Sequence, residues 1–250
     1  MAIDGNEQEV SGTETFLSHL IELRDRLLRT VLGIVLTFLV LFPFADQIYT
    51  LLAQPLLAKL PAGGQMIATE VTTPFFVPLK MAMLAAFVVS LPHTLYQAWA
   101  FVAPGLYAHE RRFMLPLVIA STLLFLAGMA FAYFLVFPVV FGFITGYAPQ
   151  GVAVMTDIGS YLDFVITLFM AFGLAFEVPI AVIALVGFGL VRIATLKNIR
   201  SYVIVGAFVL GAIFTPPDII SQFMLAIPLW VLYEAGIFVA GFMERRKIKS

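Results

Sequence analysis

Between residues 16 and 29 the polar and apolar positions alternate with helical period. Phe16, Leu17, Leu20, Ile21, Leu27 and Leu28 fall toward one side, and Ser18, Glu22, Asp25, Arg26 and Arg29 toward the other. This pattern predicts an amphipathic helix lying on a membrane surface. Beyond it the pattern becomes almost wholly apolar in long blocks. A bilayer core roughly 30 Å thick takes about 20 helical residues. On that measure the blocks predict spans over 30–44, 76–101, 113–141, 161–190, 201–214 and 219–242. The first is short unless the surface helix runs into it, and the fifth is short for an ordinary bilayer. Residues 45–75 predict an outer segment with its own apolar helix over 48–57, and Pro55 there reads as a structural turn residue. Residues 1–12 are polar and read as disordered, and Ser11 and Glu14 have the spacing of a capping box at a helix start.

Charge orients these blocks. Of the 14 Lys and Arg residues, 12 lie in four clusters: Arg24/Arg26/Arg29, Arg111/Arg112, Arg192/Lys197/Arg200 and Arg245/Arg246/Lys247/Lys249. Only Lys59 and Lys80 occupy the alternate ends. Positive charge gathers on the cytoplasmic side. Both termini are therefore expected in the cytoplasm, with spans five and six forming a hairpin turned at Thr215-Pro216-Pro217-Asp218. Composition agrees. The chain is 62% apolar and 12% charged, so an all-α polytopic membrane protein forming one domain over 1–250 is expected: a surface segment 1–29, a six-span core 30–242 and a tail 243–250. The acidic start, with Asp4, Glu7, Glu9 and Glu14, does not read as a signal peptide.

Several chemistries find no support. Cysteine is absent, which leaves out disulfides and thiol chemistry. There is no GxxxxGK[ST], HExxH or GxSxG, and the three histidines His19, His93 and His109 lack metal-like spacing. No catalytic residue, metal or other cofactor is expected. The net charge of -1 and the lack of a basic face argue against nucleic acid.

What remains are carboxylates in telling places. Glu22 and Glu110 both fall at the basic, cytoplasmic border. Each has an ordinary reading: Glu22 pairs with Arg26 four residues on, and Glu110 favours a helix N-terminus. Together they could also receive a peptide with two arginines, because a carboxylate accepts two parallel bonds from a guanidinium. Glu177 lies inside the fourth span, where a carboxylate is rare and marks a functional hypothesis, a hydrogen bond to a neighbouring helix being the alternative. Glu234 lies nearer the basic end of span six and reads as structural. Asp218 reads as a helix N-cap, and Gln222 as a polar group fit to bond another membrane helix.

In order along the chain, Phe16-Leu17-Ser18-His19-Leu20-Ile21-Glu22-Leu23-Arg24, Phe101-Val102-Ala103-Pro104-Gly105-Leu106-Tyr107 with His109-Glu110-Arg111-Arg112, Gly128-Met129-Ala130-Phe131-Ala132-Tyr133-Phe134, Phe172-Gly173 with Phe176-Glu177-Val178-Pro179, and Thr215-Pro216-Pro217-Asp218 resemble the TatC family. That family supplies the multi-spanning receptor subunit of the bacterial twin-arginine protein translocase. The resemblance implies six spans in a concave, glove-like arrangement in the bacterial inner membrane. It implies binding of the twin-arginine signal peptides of folded cargo by Glu22 and Glu110, with Arg24 and Phe101 nearby. It implies hetero-oligomers with single-span TatA- and TatB-type subunits, transport driven by the proton-motive force, and a polar role for Glu177 in binding those partners or distorting the local bilayer. It ties Asp218 and Gln222 to function near the outer end of the last two spans. The competing expectation, of another class, is a proton-coupled transporter of a small solute built on Glu177.

Overall fold

The structure, a computed structural model, describes residues 4–57, 66–102, 111–146, 155–214 and 219–247. It is all-α. Helix α1 spans Asp4–Leu41, and a single 3-10 turn over Phe42–Phe44 leads into α2, Ala45–Leu57. Helix α3 is Thr73–Val102, and α4 is Arg111–Phe131. A π-helical turn over Ala132–Val136 joins α4 to α5, Phe137–Gly146. Helices α6, Ile158–Phe176, and α7, Val178–Gly187, follow. The remainder is α8, Ile193–Asn198, α9, Arg200–Phe214, and α10, Ile219–Lys247.

Among the described residues, five helical stretches are long and apolar enough to cross a bilayer: Leu17–Gln54, Thr73–Val102, Met114–Gly142, Ile158–Gly187 and Ile219–Arg245. The expected short span is α9, an apolar helix of 15 residues. At about 1.5 Å per residue it is roughly 22 Å long.

The N-terminal expectation needs correction. No separate surface helix precedes the first span; α1 is one helix of 38 residues from Asp4. The disorder expected over 1–12 gives way to helix from Asp4, and Ser11 lies inside that helix instead of capping it. No proline interrupts the chain before Pro43, and extending an established helix costs far less than starting one. Pro55 falls in the last turn of α2.

Proline explains the two interruptions deeper in the chain. Pro138 supplies no N–H to the turn before it, and the wide π turn sits there. Pro179 likewise cannot bond the carbonyl of Ala175. The chain breaks at Glu177, whose N–H reaches Leu174 O at 3.1 Å, and α7 restarts with Ala181 N–H on Glu177 O at 2.9 Å. Gly189, with φ of 74°, closes α7 through a left-handed turn.

The core lies where α4, the π turn and α5 meet α6. Phe137, Phe172, Val136, Val140, Leu168 and Val165 are fully buried there. Small residues set the approach. A Cβ on Gly128 would collide with the Phe172 carbonyl oxygen, and one on Gly173 would lie 2.5 Å from the Phe125 ring. Because backbone cannot step aside, Gly128→Ala is expected to destabilise the protein by about 1–3 kcal/mol. Gly206→Ala, which meets nothing within 4 Å, should leave stability unchanged. Thermal unfolding of both variants in detergent checks this; equal melting temperatures would contradict the packing.

The end opposite the basic clusters is tied by polar contacts. Tyr133 OH donates to Leu51 O at 2.8 Å and Tyr161 OH to Leu52 O at 2.7 Å, fixing α2 against the core. Asp157 caps α6. It accepts from Ser160 N–H at 2.8 Å, Thr69 N–H at 3.0 Å and Thr69 OH at 2.8 Å. These bonds, the Ser160 amide first among them, hold the Asp157 carboxyl well below the usual carboxylate range.

Candidate functional site

At the basic end, α1 packs along α3. Gly33 lets the helices close, since a Cβ there would sit 2.9 Å from the His93 ring. His93 Nε2 lies 3.2 Å from Arg29 O, and His19 stacks on Phe101 with ring centroids 4.3 Å apart. Glu22, one turn along α1 from His19, is thereby held near Phe101 in the last turn of α3. The ordinary reading of Glu22 is realised: its Oε1 accepts Arg26 Nε at 2.9 Å and Nη2 at 2.5 Å. Arg26 Nη1 reaches on to Gln97 Oε1 at 3.5 Å. This fixes the carboxylate without using it up, because Oε2 accepts no hydrogen bond among the described residues. The side chain keeps 34% of its exposure, so a visiting guanidinium has access. Arg24 does not join this pair; it is 68% exposed and bonds Asp25 at 2.8 Å. Glu110 and Asp218 lie outside the described residues.

A second polar site sits at membrane depth, at the break between α6 and α7. Trp99 Nε1 donates to Ser121 Oγ at 2.9 Å, and the fully buried Ser121 lies beside the Glu177 carboxyl group. The indole bond thus ties α3 to α4 beside the break that follows α6. Glu177 Oε1 is buried and has no partner among the described residues. An unpaired acceptor at this depth invites a donor from another helix. The proline break presents it, because Glu177 is both the last cap of α6 and the first of α7.

Nearer the opposite end, Gln222 Nε2 donates to Phe208 O at 2.9 Å, so this amide locks α10 to α9. Gly211 abuts it, a Cβ there lying 3.0 Å from Gln222 Cγ. Beside Gln222, Phe131, Ile219, Phe223, Met224 and Ile227 line an apolar hollow of about 460 Å³. The site residues therefore do not form one cluster: Glu22 and Phe101 come together, while Glu177 and Gln222 mark separate places. Sequence reading missed Trp99, Ser121 and Gln97. The one signal available was that a buried indole N–H needs an acceptor.

Comparison with known proteins adds the family. The profile described as "TatC: Sec-independent protein translocase protein (TatC)" matches residues 18–228. The Sec-independent protein translocase protein TatC of Azotobacter chroococcum mcd 1 is 53% identical over 92% of this chain and 91% of its own length. The TatC protein of Escherichia coli (strain K12) is 52% identical over 93% of this chain and 90% of its own length. A crystal structure of "Twin Arginine Translocase Receptor- TatC in DDM" superposes with a TM-score of 0.79 at 38% identity, covering 89% of this chain and 99% of that one. These matches cover the described fold almost from end to end, and the chain belongs to the TatC family of Sec-independent protein translocase proteins.

Proposed function

We propose that this chain is the receptor and core subunit of a proton-motive-force-driven translocase that binds twin-arginine signal peptides and exports folded proteins. Family membership makes it a component of a protein translocase, not an enzyme, and its apolar helices make it an integral membrane protein. Its place is the bacterial inner membrane, as a single domain with both termini in the cytoplasm, the side toward which the basic clusters point. Glu22 receives an arginine of the signal peptide, Glu110 receives the other, and Arg24 and Phe101 border them. Glu177 and Gln222 face single-span partners of the TatA and TatB type. The observation that supports this reading best is the half-free Glu22 carboxylate, locked by Arg26 beside the His19–Phe101 stack. The small-solute transporter alternative gains nothing from the matched TatC relatives, which are named as protein translocase proteins.

A paired-peptide experiment tests the reading. Membrane vesicles holding the full chain are given a photoreactive signal peptide bearing Arg-Arg or the same peptide bearing Lys-Lys. Only the guanidinium fork matches a carboxylate with two parallel bonds. The arginine form should crosslink at least about tenfold more strongly. Equal crosslinking by both forms would overturn receptor function at these carboxylates.

A further inference from the structure

We propose that the cleft between α8, the start of α9 and the last turns of α10 binds the phosphate headgroup of an anionic phospholipid. The cleft has a volume of about 350 Å³ and contains Lys197, Arg200, Glu234, Phe238, Phe242 and Arg245. Three cations there face one carboxylate. That carboxylate is already engaged, Glu234 Oε2 accepting from Arg200 Nη2 at 2.6 Å. Among the described residues no ion pair holds Lys197 or Arg245, so positive charge is left over. Arg200 Nε is buried without a hydrogen-bond partner, a donor waiting for an acceptor.

The apolar side of the cleft identifies the source of the phosphate. Phe238 is 78% exposed and Phe242 54% exposed, on the stretch of α10 that crosses the bilayer. From Phe238 to Arg245 the helix rises about 10 Å. Acyl chain therefore meets the phenyl rings while the headgroup meets Arg245 toward the basic end, with Lys197 and Arg200 across the cleft. A free phosphate ion would leave those rings unused. Basic pockets between membrane helices on the cytoplasmic side hold anionic headgroups in this way, with arginine offering a fork to phosphate oxygens. The proposal does not depend on signal-peptide binding; either can fail alone.

The test uses the full chain in a neutral detergent, with native mass spectrometry to count bound lipid. Phosphatidylglycerol should be retained in preference to phosphatidylcholine of the same chain length. Lys197→Gln with Arg245→Gln should weaken that retention by roughly tenfold or more. Both residues are exposed, and the Arg200–Glu234 pair remains to hold α9 to α10. Losing the same charge at Arg29 and Arg192 should change retention little. Millimolar inorganic phosphate should not displace the lipid. Equal retention of the two lipids, an unaffected double variant, an equal effect of the control variant, or displacement by phosphate alone would each overturn the proposal.

Discussion

Glu22→Ala is expected to weaken binding of a twin-arginine peptide by about thirtyfold while the protein still inserts and folds. Truncating one partner of a buried, hydrogen-bonded charge pair costs about 2–5 kcal/mol. Glu22 is one-third exposed, so water screens the contact and the lower end applies, about 2 kcal/mol or thirtyfold. Glu22→Gln, which still accepts a bond but has lost its charge, should fall between the two. Arg26 gives the prediction its sharper half. It occupies Glu22 Oε1 and adds a like charge to the visiting arginine. Arg26→Gln should therefore bind the peptide at least as tightly as the parent, most visibly at low salt where screening is weak. Equilibrium binding of a fluorescent peptide to vesicles measures both. Parent-like affinity in Glu22→Ala would remove the carboxylate from the receptor site.

The reason Glu22 could be singled out in the sequence, and its state could not, is instructive. Spacing of four residues to Arg26 made an ion pair the ordinary reading, and that pair forms. The same spacing cannot say which oxygen is used, or that Gln97, 71 residues away in sequence, extends the pair. The long spans were legible because an apolar run of bilayer length has few alternatives. The continuity of α1 was not, because a change from amphipathic to wholly apolar pattern looks like a boundary when nothing breaks the backbone there. Helix α8 was invisible for a different reason: six residues in a basic loop are too few to show a period. Gln222 was read as a polar group fit to bond another membrane helix, and spacing could not show that its amide also reaches the backbone of α9, its own hairpin neighbour.

Glu177→Ala should disrupt association with single-span partners far more than Glu177→Gln. Alanine removes the buried, unpaired oxygen that a partner helix would meet. Glutamine keeps a polar amide of the same length at that place for the partner. Ser121→Ala provides the independent arm. It strips Trp99 Nε1 of its acceptor while leaving the neighbouring carboxyl group in place. If the Trp99–Ser121 link positions Glu177, Ser121→Ala should lower partner retention partway toward Glu177→Ala, and Ser121→Thr should restore it. In a Trp230→Phe background Trp99 is the sole tryptophan, so its emission reports whether the indole bond has been lost. Copurification of the single-span subunits supplies the second readout. Equal loss in Glu177→Ala and Glu177→Gln would mean that ionisation at this depth matters rather than polarity. A Ser121→Ala variant with altered emission but full partner retention would confine the network to holding α3 and α4 together.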